Sequence, residues 1–321
     1  MGELDFRLAK RKLCTPLAVL ILIFLFIPVW YICRTHPQQR PLRYASALPC
    51  DVDPVVVRQS DNQNKKVISL SLFSPPSQED EADYPWFLDG ALRNAEDARM
   101  YYPEWIVRIY VIGLGDKDEQ RLLDVHNIEV VRCREDAIWG SSASRKMMSR
   151  FLAADDPSVQ FSIYRDTDSR LNVRELLAVN DWISSGHHFH AMRDHGQHSV
   201  PMLGGMFGIK RGGLRFPISD LIRQALAENP AGITGTRGED QSFLLRYLWP
   251  LARDDCISHD IDLARCENFG SISCKPFPTT SRNEDENFFV GAAFKRDVNR
   301  VGESLRYKCD AQCKVQRFKT A

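Results

Sequence analysis

The chain has 321 residues, with 42 basic and 42 acidic side chains and a formal net charge of zero. Such a balance gives no electrostatic argument for nucleic acid, whose binders carry a basic excess, and no nucleic-acid partner is expected. Hydrophobic content of 44% and aromatic content of 10% are ordinary for a globular protein with a sizeable core.

Residues 1–12 read as a short tail carrying Arg7, Lys10, Arg11 and Lys12. The stretch 13–33, LCTPLAVLILIFLFIPVWYIC, holds no charged residue. A helix needs about 20 apolar residues to cross a bilayer core, whereas the apolar part of a cleaved signal peptide runs to about 7–15. The expectation is an uncleaved anchor. The basic residues before it favour a cytosolic amino terminus, although Arg34, Arg40 and Arg43 weaken that bias. Residues 34–64 read as a stem: four prolines and the polar run Gln59 to Asn64 offer little to bury. A domain over 65–321 comes next, expected in the lumen of the secretory pathway. Cysteine usage leans the same way. Cys50, Cys133, Cys256, Cys266, Cys274, Cys309 and Cys313 show no repeated CxxC pair and fit disulfides better than a zinc ribbon. No Asn-x-Ser/Thr acceptor occurs, so glycosylation adds no support.

Within the domain, Val67–Phe73 reads as a buried strand ended by Pro75-Pro76, and Tyr84–Tyr101 as a helix with Leu88, Leu92, Ala95 and Arg99 on one face. Trp105–Ile112 and Ile128–Arg132 read as strands, Ser144–Ala154 as a helix, Val159–Tyr164 as a fourth strand and Val173–Ser184 as a helix. Alternating strands and helices argue for an α/β fold with a mostly parallel central sheet flanked by helices. Ligands then bind at the carboxyl ends of the strands.

The fourth strand leads directly into Arg165-Asp166-Thr167-Asp168-Ser169-Arg170. An Asp-x-Asp triplet alone says little, and Asp51/Asp53, Asp116/Asp118 and Asp260/Asp262 repeat it. The first of these lies in the stem, and the second reads as a solvated loop. Asp166 and Asp168 come straight after an apolar strand and precede a helix. Two carboxylates there can share a divalent cation and leave positions for ligand oxygens. Capping of the next helix by Asp168 or Asn172 is the plainer alternative.

The strand, the RDTDSR motif and the helix resemble the DxD region of metal-dependent glycosyltransferases with the GT-A fold. Residues 145–260 are similar to a group of GT-A-like sugar transferases, and the tail, anchor and stem resemble those of type II Golgi enzymes. The resemblance implies transfer of a sugar from a nucleotide-sugar donor to a hydroxyl of a glycan, protein or lipid acceptor. It implies a divalent ion, usually manganese, between Asp166, Asp168 and the donor diphosphate, with a later histidine as a further ligand. His259 is the candidate for that histidine.

Other residues carry less specific signals. Arg145, Lys146 and Arg150 could meet donor phosphates, or form a solvated helix face. Arg193, Asp194 and His195 are candidates for sugar hydroxyls. Gly204 and Gly205 could let backbone approach an acceptor, or make a tight turn. Asp240, then Glu239, are candidates for the carboxylate that takes the acceptor's proton, or for helix capping. Five histidines, His187, His188, His190, His195 and His198, raise a competing reading as a zinc hydrolase, although no HExxH motif is present. A catalytically silent, membrane-tethered binding protein is a third.

Overall fold

A computed structural model describes residues 50, 64–74, 84–134, 142–229, 238–279 and 289–293. The tail, the anchor 13–33, all of the stem except Cys50 and Asn64, and Cys309 and Cys313 lie outside these residues. Among the described residues no helix is long and apolar enough to cross a membrane. The described residues belong to one compact unit.

An eight-stranded mixed sheet organises that unit, in the order β3-β2-β1-β4-β6-β5-β7-β8. The strands are β1 (Lys65–Phe73), β2 (Ile106–Ile112), β3 (Ile128–Cys133), β4 (Val159–Tyr164), β5 (Phe189–Arg193), β6 (Phe207–Lys210), β7 (Cys256–Asp260) and β8 (Ser273–Lys275). β6 runs antiparallel to both its neighbours, and every other pairing is parallel.

Covered on both faces, β1 must be apolar nearly throughout. Ile68, Leu70 and Leu72 point to one face, under α1 (Tyr84–Tyr101), α2 (Asp116–Leu123) and α4 (Val173–Ser185). Leu88, Ala91, Ala95 and Ala98 form the buried stripe of α1, whereas Arg99 is exposed. Val67 packs on the other face with Phe151, Ile222, Phe243 and Leu248. There Ser69 and Ser71 of β1 donate hydroxyls to the carbonyls of Arg150 and Met147, at 2.7 and 3.3 Å.

The strands β1 to β4, with α1 and α4, match expectation closely, and the chain departs from it elsewhere. Asp116 and Asp118 open α2 rather than a loop, with acidic side chains in its first turn where the helix dipole favours them. The helix expected over 144–154 is a short α3 (Ala143–Met147) that tightens into a 3-10 segment (Met148–Asp155). The hydroxyls of Ser69 and Ser71 give its carbonyls partners outside the helical ladder. Past Gly205 come β6 and α5 (Ile218–Glu228), neither of which the sequence pattern suggested. The run SFLLRYLWPLA spans the end of α6 (Glu239–Phe243), a π turn (Leu244–Leu248) and α7 (Trp249–Ala252). Pro250 lacks the N–H that would continue a regular ladder. β7, α8 (Leu263–Asn268) and β8 follow, and disulfides join Cys50 to Cys133 and Cys266 to Cys274.

Candidate active site

The chain runs outward from β1 through β2 to β3, then returns to lay β4 on the other side of β1. Strand order reverses there, and such a switch point opens a crevice at the carboxyl ends of the strands. A cavity of about 330 Å³ occupies it. Leu72, Phe73, Phe87 and Met147 form an apolar wall, and Asp166, Asp168, Asp240, Arg150 and Gln241 supply polar groups.

The motif loop is firmly held at its base. The Arg165 side chain, 1% exposed, meets Glu175 of α4 at 2.6 Å and donates to the carbonyls of Tyr164 and Phe207. The backbone N–H and the hydroxyl of Ser169 both donate to the Asp166 carbonyl, at 3.3 and 3.0 Å. Asn172 caps α4, its side-chain oxygen accepting from the Glu175 N–H at 2.9 Å. Asp168 therefore has no capping duty. Of the other Asp-x-Asp pairs, Asp260 is buried in ion pairs with Arg193 and Arg265, and Asp262 caps α8.

Charge is concentrated in this small space. The Arg150 guanidinium reaches Asp166 at 2.5 Å and Asp240 at 3.4 Å. Burial, reinforced by the neighbouring Asp166 carboxylate, pushes Asp168 up to about 6. Burial also raises Asp240, against the lowering pull of Arg150. Gly204 and Gly205 close one side. A Cβ on Gly205 would lie 2.0 Å from Asp166 Oδ2, and one on Gly204 would lie 2.8 Å from Arg150 Nη2 and 2.9 Å from Asp240 Oδ2. These glycines are thus packed against the carboxylate cluster itself.

Two carboxylates facing one cavity make a hard-oxygen donor set suited to Mg²⁺ or Mn²⁺, with phosphate and water oxygens filling the remaining positions. Phosphate and water oxygens would be needed, because among the described residues no three His, Cys, Asp or Glu side chains converge to enclose an ion.

The other sequence candidates fall elsewhere. His259 lies on β7, separated from β4 by β6 and β5. At about 4.8 Å per strand, that is roughly 14 Å from the strand bearing the aspartates. Fully buried, it contacts His190 at 2.9 Å and Asp181 at 3.1 Å, and burial lowers it to about 4. As arranged, it cannot share an ion with Asp166 and Asp168. Arg193 is spent on Asp260 and the Pro201 carbonyl, and Asp194 on Arg174. His195 is half-buried and stacks on Phe289 at 4.3 Å. Arg145 and Ser142 hold Glu239, at 3.1 and 2.7 Å, so Glu239 braces α3 against α6. Lys146 is buried with its ammonium over the Phe73 ring.

The histidine-rich segment is dispersed rather than gathered. His187 and His188 both face Asp255, His190 stacks on Trp182, and His198 accepts from the Asp194 N–H. That dispersal leaves a zinc hydrolase without its ligand cluster. Sequence reasoning missed Gln241 and the apolar wall of Phe73 and Phe87. Neither carries a motif, and only the fold brings them together.

No family model matches the chain, and no curated protein matches it either. Among solved structures it is similar to the glycosyltransferase GlyE of Streptococcus pneumoniae TIGR4. That likeness has 12% identity and TM-score 0.38, and covers 61% of this chain and 46% of GlyE. It is also similar to mouse xyloside xylosyltransferase 1, at 11% identity and TM-score 0.36, over 67% of this chain and 95% of that one. A 4-diphosphocytidyl-2C-methyl-D-erythritol synthase of Anaerococcus prevotii aligns at 12% identity and TM-score 0.34, over 64% and 97%. The chain thus spans under half the length of GlyE. Likenesses this distant leave the chemistry to be read from the site.

Proposed function

We propose that this cavity binds a nucleotide-diphosphate sugar through a divalent cation held by Asp166 and Asp168, and that the protein transfers the sugar to an acceptor hydroxyl. The observation that carries the proposal is that both carboxylates face one open cavity at the strand-order switch, free of helix capping. A bound Mn²⁺ would supply positive charge to a departing diphosphate. The chain's own groups do the rest. Phe73 and Phe87 offer the apolar surface that a nucleoside needs. Arg150 holds Asp166 and Asp240 in fixed relation. Asp240, raised by burial, is suited to accept the proton of an attacking hydroxyl. A GT-A-type fold is part of this reading. So is a type II arrangement in a Golgi or other secretory membrane, supported by the apolar stretch 13–33 and by two disulfides.

The test is a panel of UDP- and GDP-sugars offered to the purified full chain with Mn²⁺. Donor turnover should appear, vanish with EDTA, return with Mn²⁺, and be lost in Asp168→Asn. Donor affinity and turnover that are indifferent to both EDTA and Asp168→Asn would overturn the proposal.

A further inference from the structure

Helix α1 carries a glycine in its interior, where alanine would be the better helix former. The reason lies across the contact. A Cβ on Gly90 would sit 2.2 Å from the carbonyl oxygen of Thr167, 3.1 Å from its carbonyl carbon and 3.3 Å from Arg170 Nη1. Thr167 is the residue between the two aspartates. One helical turn later, Asn94 is 1% exposed and aims its amide at the same loop. Its Nδ2 donates to the carbonyls of Asp166 at 3.5 Å and Thr167 at 3.4 Å. Arg170 donates to the Thr167 carbonyl at 3.0 Å. The peptide linking Asp166 to Asp168 is thus held where Gly90, Asn94 and the Arg170 guanidinium converge on the Thr167 carbonyl. Phe87, on the same helix, reaches the cavity directly.

We infer that α1 sets the aim of the two carboxylates, with Gly90 and Asn94 as positioning residues that fix the Thr167 peptide and so the spacing of Asp166 and Asp168. Its catalytic consequence rests on the function proposed above. Any side chain at position 90 must drive helix and loop apart by about 1 Å to restore ordinary contact. A misplacement of that size can cost about a hundredfold in a preorganised site.

Gly90→Ala and Asn94→Ala in the full chain test this, with Gly115→Ala as control, since a Cβ there meets nothing within 4 Å. Two readouts are needed: hydrogen exchange in the 165–170 segment, and Mn²⁺ affinity with the electron paramagnetic resonance spectrum of the bound ion. Gly90→Ala and Asn94→Ala should speed exchange there tenfold or more, weaken Mn²⁺ tenfold or more and alter the spectrum. Gly115→Ala should match the wild type on every count. Wild-type exchange and Mn²⁺ affinity in Gly90→Ala would overturn the inference. Should Gly90→Ala not fold, the same result in Asn94→Ala would overturn it. A wild-type chain that binds no Mn²⁺ would instead sink the proposed function, and exchange alone would then decide whether α1 holds the loop.

Discussion

Asp168 illustrates how a site can work against the fold that carries it. Its carboxyl is raised from an ordinary 3.8 to about 6, so the folded chain takes up this proton more readily than the unfolded chain. The stabilisation that protonation brings is complete below the unfolded value and is lost as pH rises through about 6. At neutral pH the ionised Asp168 is therefore a burden in the metal-free protein. We predict that Asp168→Asn raises metal-free stability at pH 7.5 by about 1–2 kcal/mol, discounted for partial solvent screening. The gain should shrink toward zero near pH 4, and Mn²⁺ binding should disappear. Thermal denaturation across that pH range checks it; a variant less stable than the wild type at pH 7.5 would show that Asp168 supports the fold. Arg150 carries the opposite sign. Arg150→Met removes the guanidinium that bridges Asp166 and Asp240, so kcat for sugar transfer should fall by a hundredfold or more. Steady-state kinetics with the active donor reads this directly, and an unchanged kcat would remove Arg150 from the site.

The motif loop is only as rigid as the elements that grip it. Arg165 and Glu175 are each 1% exposed and tie the end of β4 to the first turn of α4. Removing one partner of a buried pair strands the other charge, at a cost of about 3–5 kcal/mol. Glu175→Ala should therefore lower unfolding free energy by about that amount in denaturant titration; a loss below about 1 kcal/mol would mean that water reaches Arg165. Sequence periodicity could reveal β4, α4 and the motif between them, because each reports its own burial pattern. The same local rules gave β1, β2, β3 and α1 within a residue or two at most ends. They could not reveal β6, a four-residue strand whose place in the sheet depends on pairing with β4 and β5. Nor could they show that Arg193 and Asp194 are consumed by Asp260 and Arg174, or that His259 lies three strands from the aspartates. Those facts depend on partners distant in sequence. The Arg150 bridge and the Gly90 contact belong to the same class, which is why residue types alone could nominate Arg150 without telling what it holds.

At the scale of the whole sheet, the two disulfides found among the described residues fasten its edges. Cys50 precedes β1 and bonds to Cys133 at the end of edge strand β3, across 83 residues of sequence. Cys266 and Cys274 join α8 to the three-residue β8 at the other edge, across 8 residues. Closing a longer loop removes more freedom from the unfolded chain, and the chain-entropy model gives about 4–5 kcal/mol for the first and about 2–3 for the second. Cys133→Ser should accordingly cost more stability than Cys274→Ser. Reductant should lower the unfolding midpoint of the wild type and add little to a chain lacking both bridges. Cys256 offers an internal check, since it is a buried free thiol with its pKa pushed up to about 12 by burial. It should resist thiol reagents while the fold is intact and become reactive only as the chain unfolds. If Cys274→Ser proves the more damaging substitution, loop entropy is not the governing term. The α8–β8 edge would then be holding the far side of the sheet through native contacts.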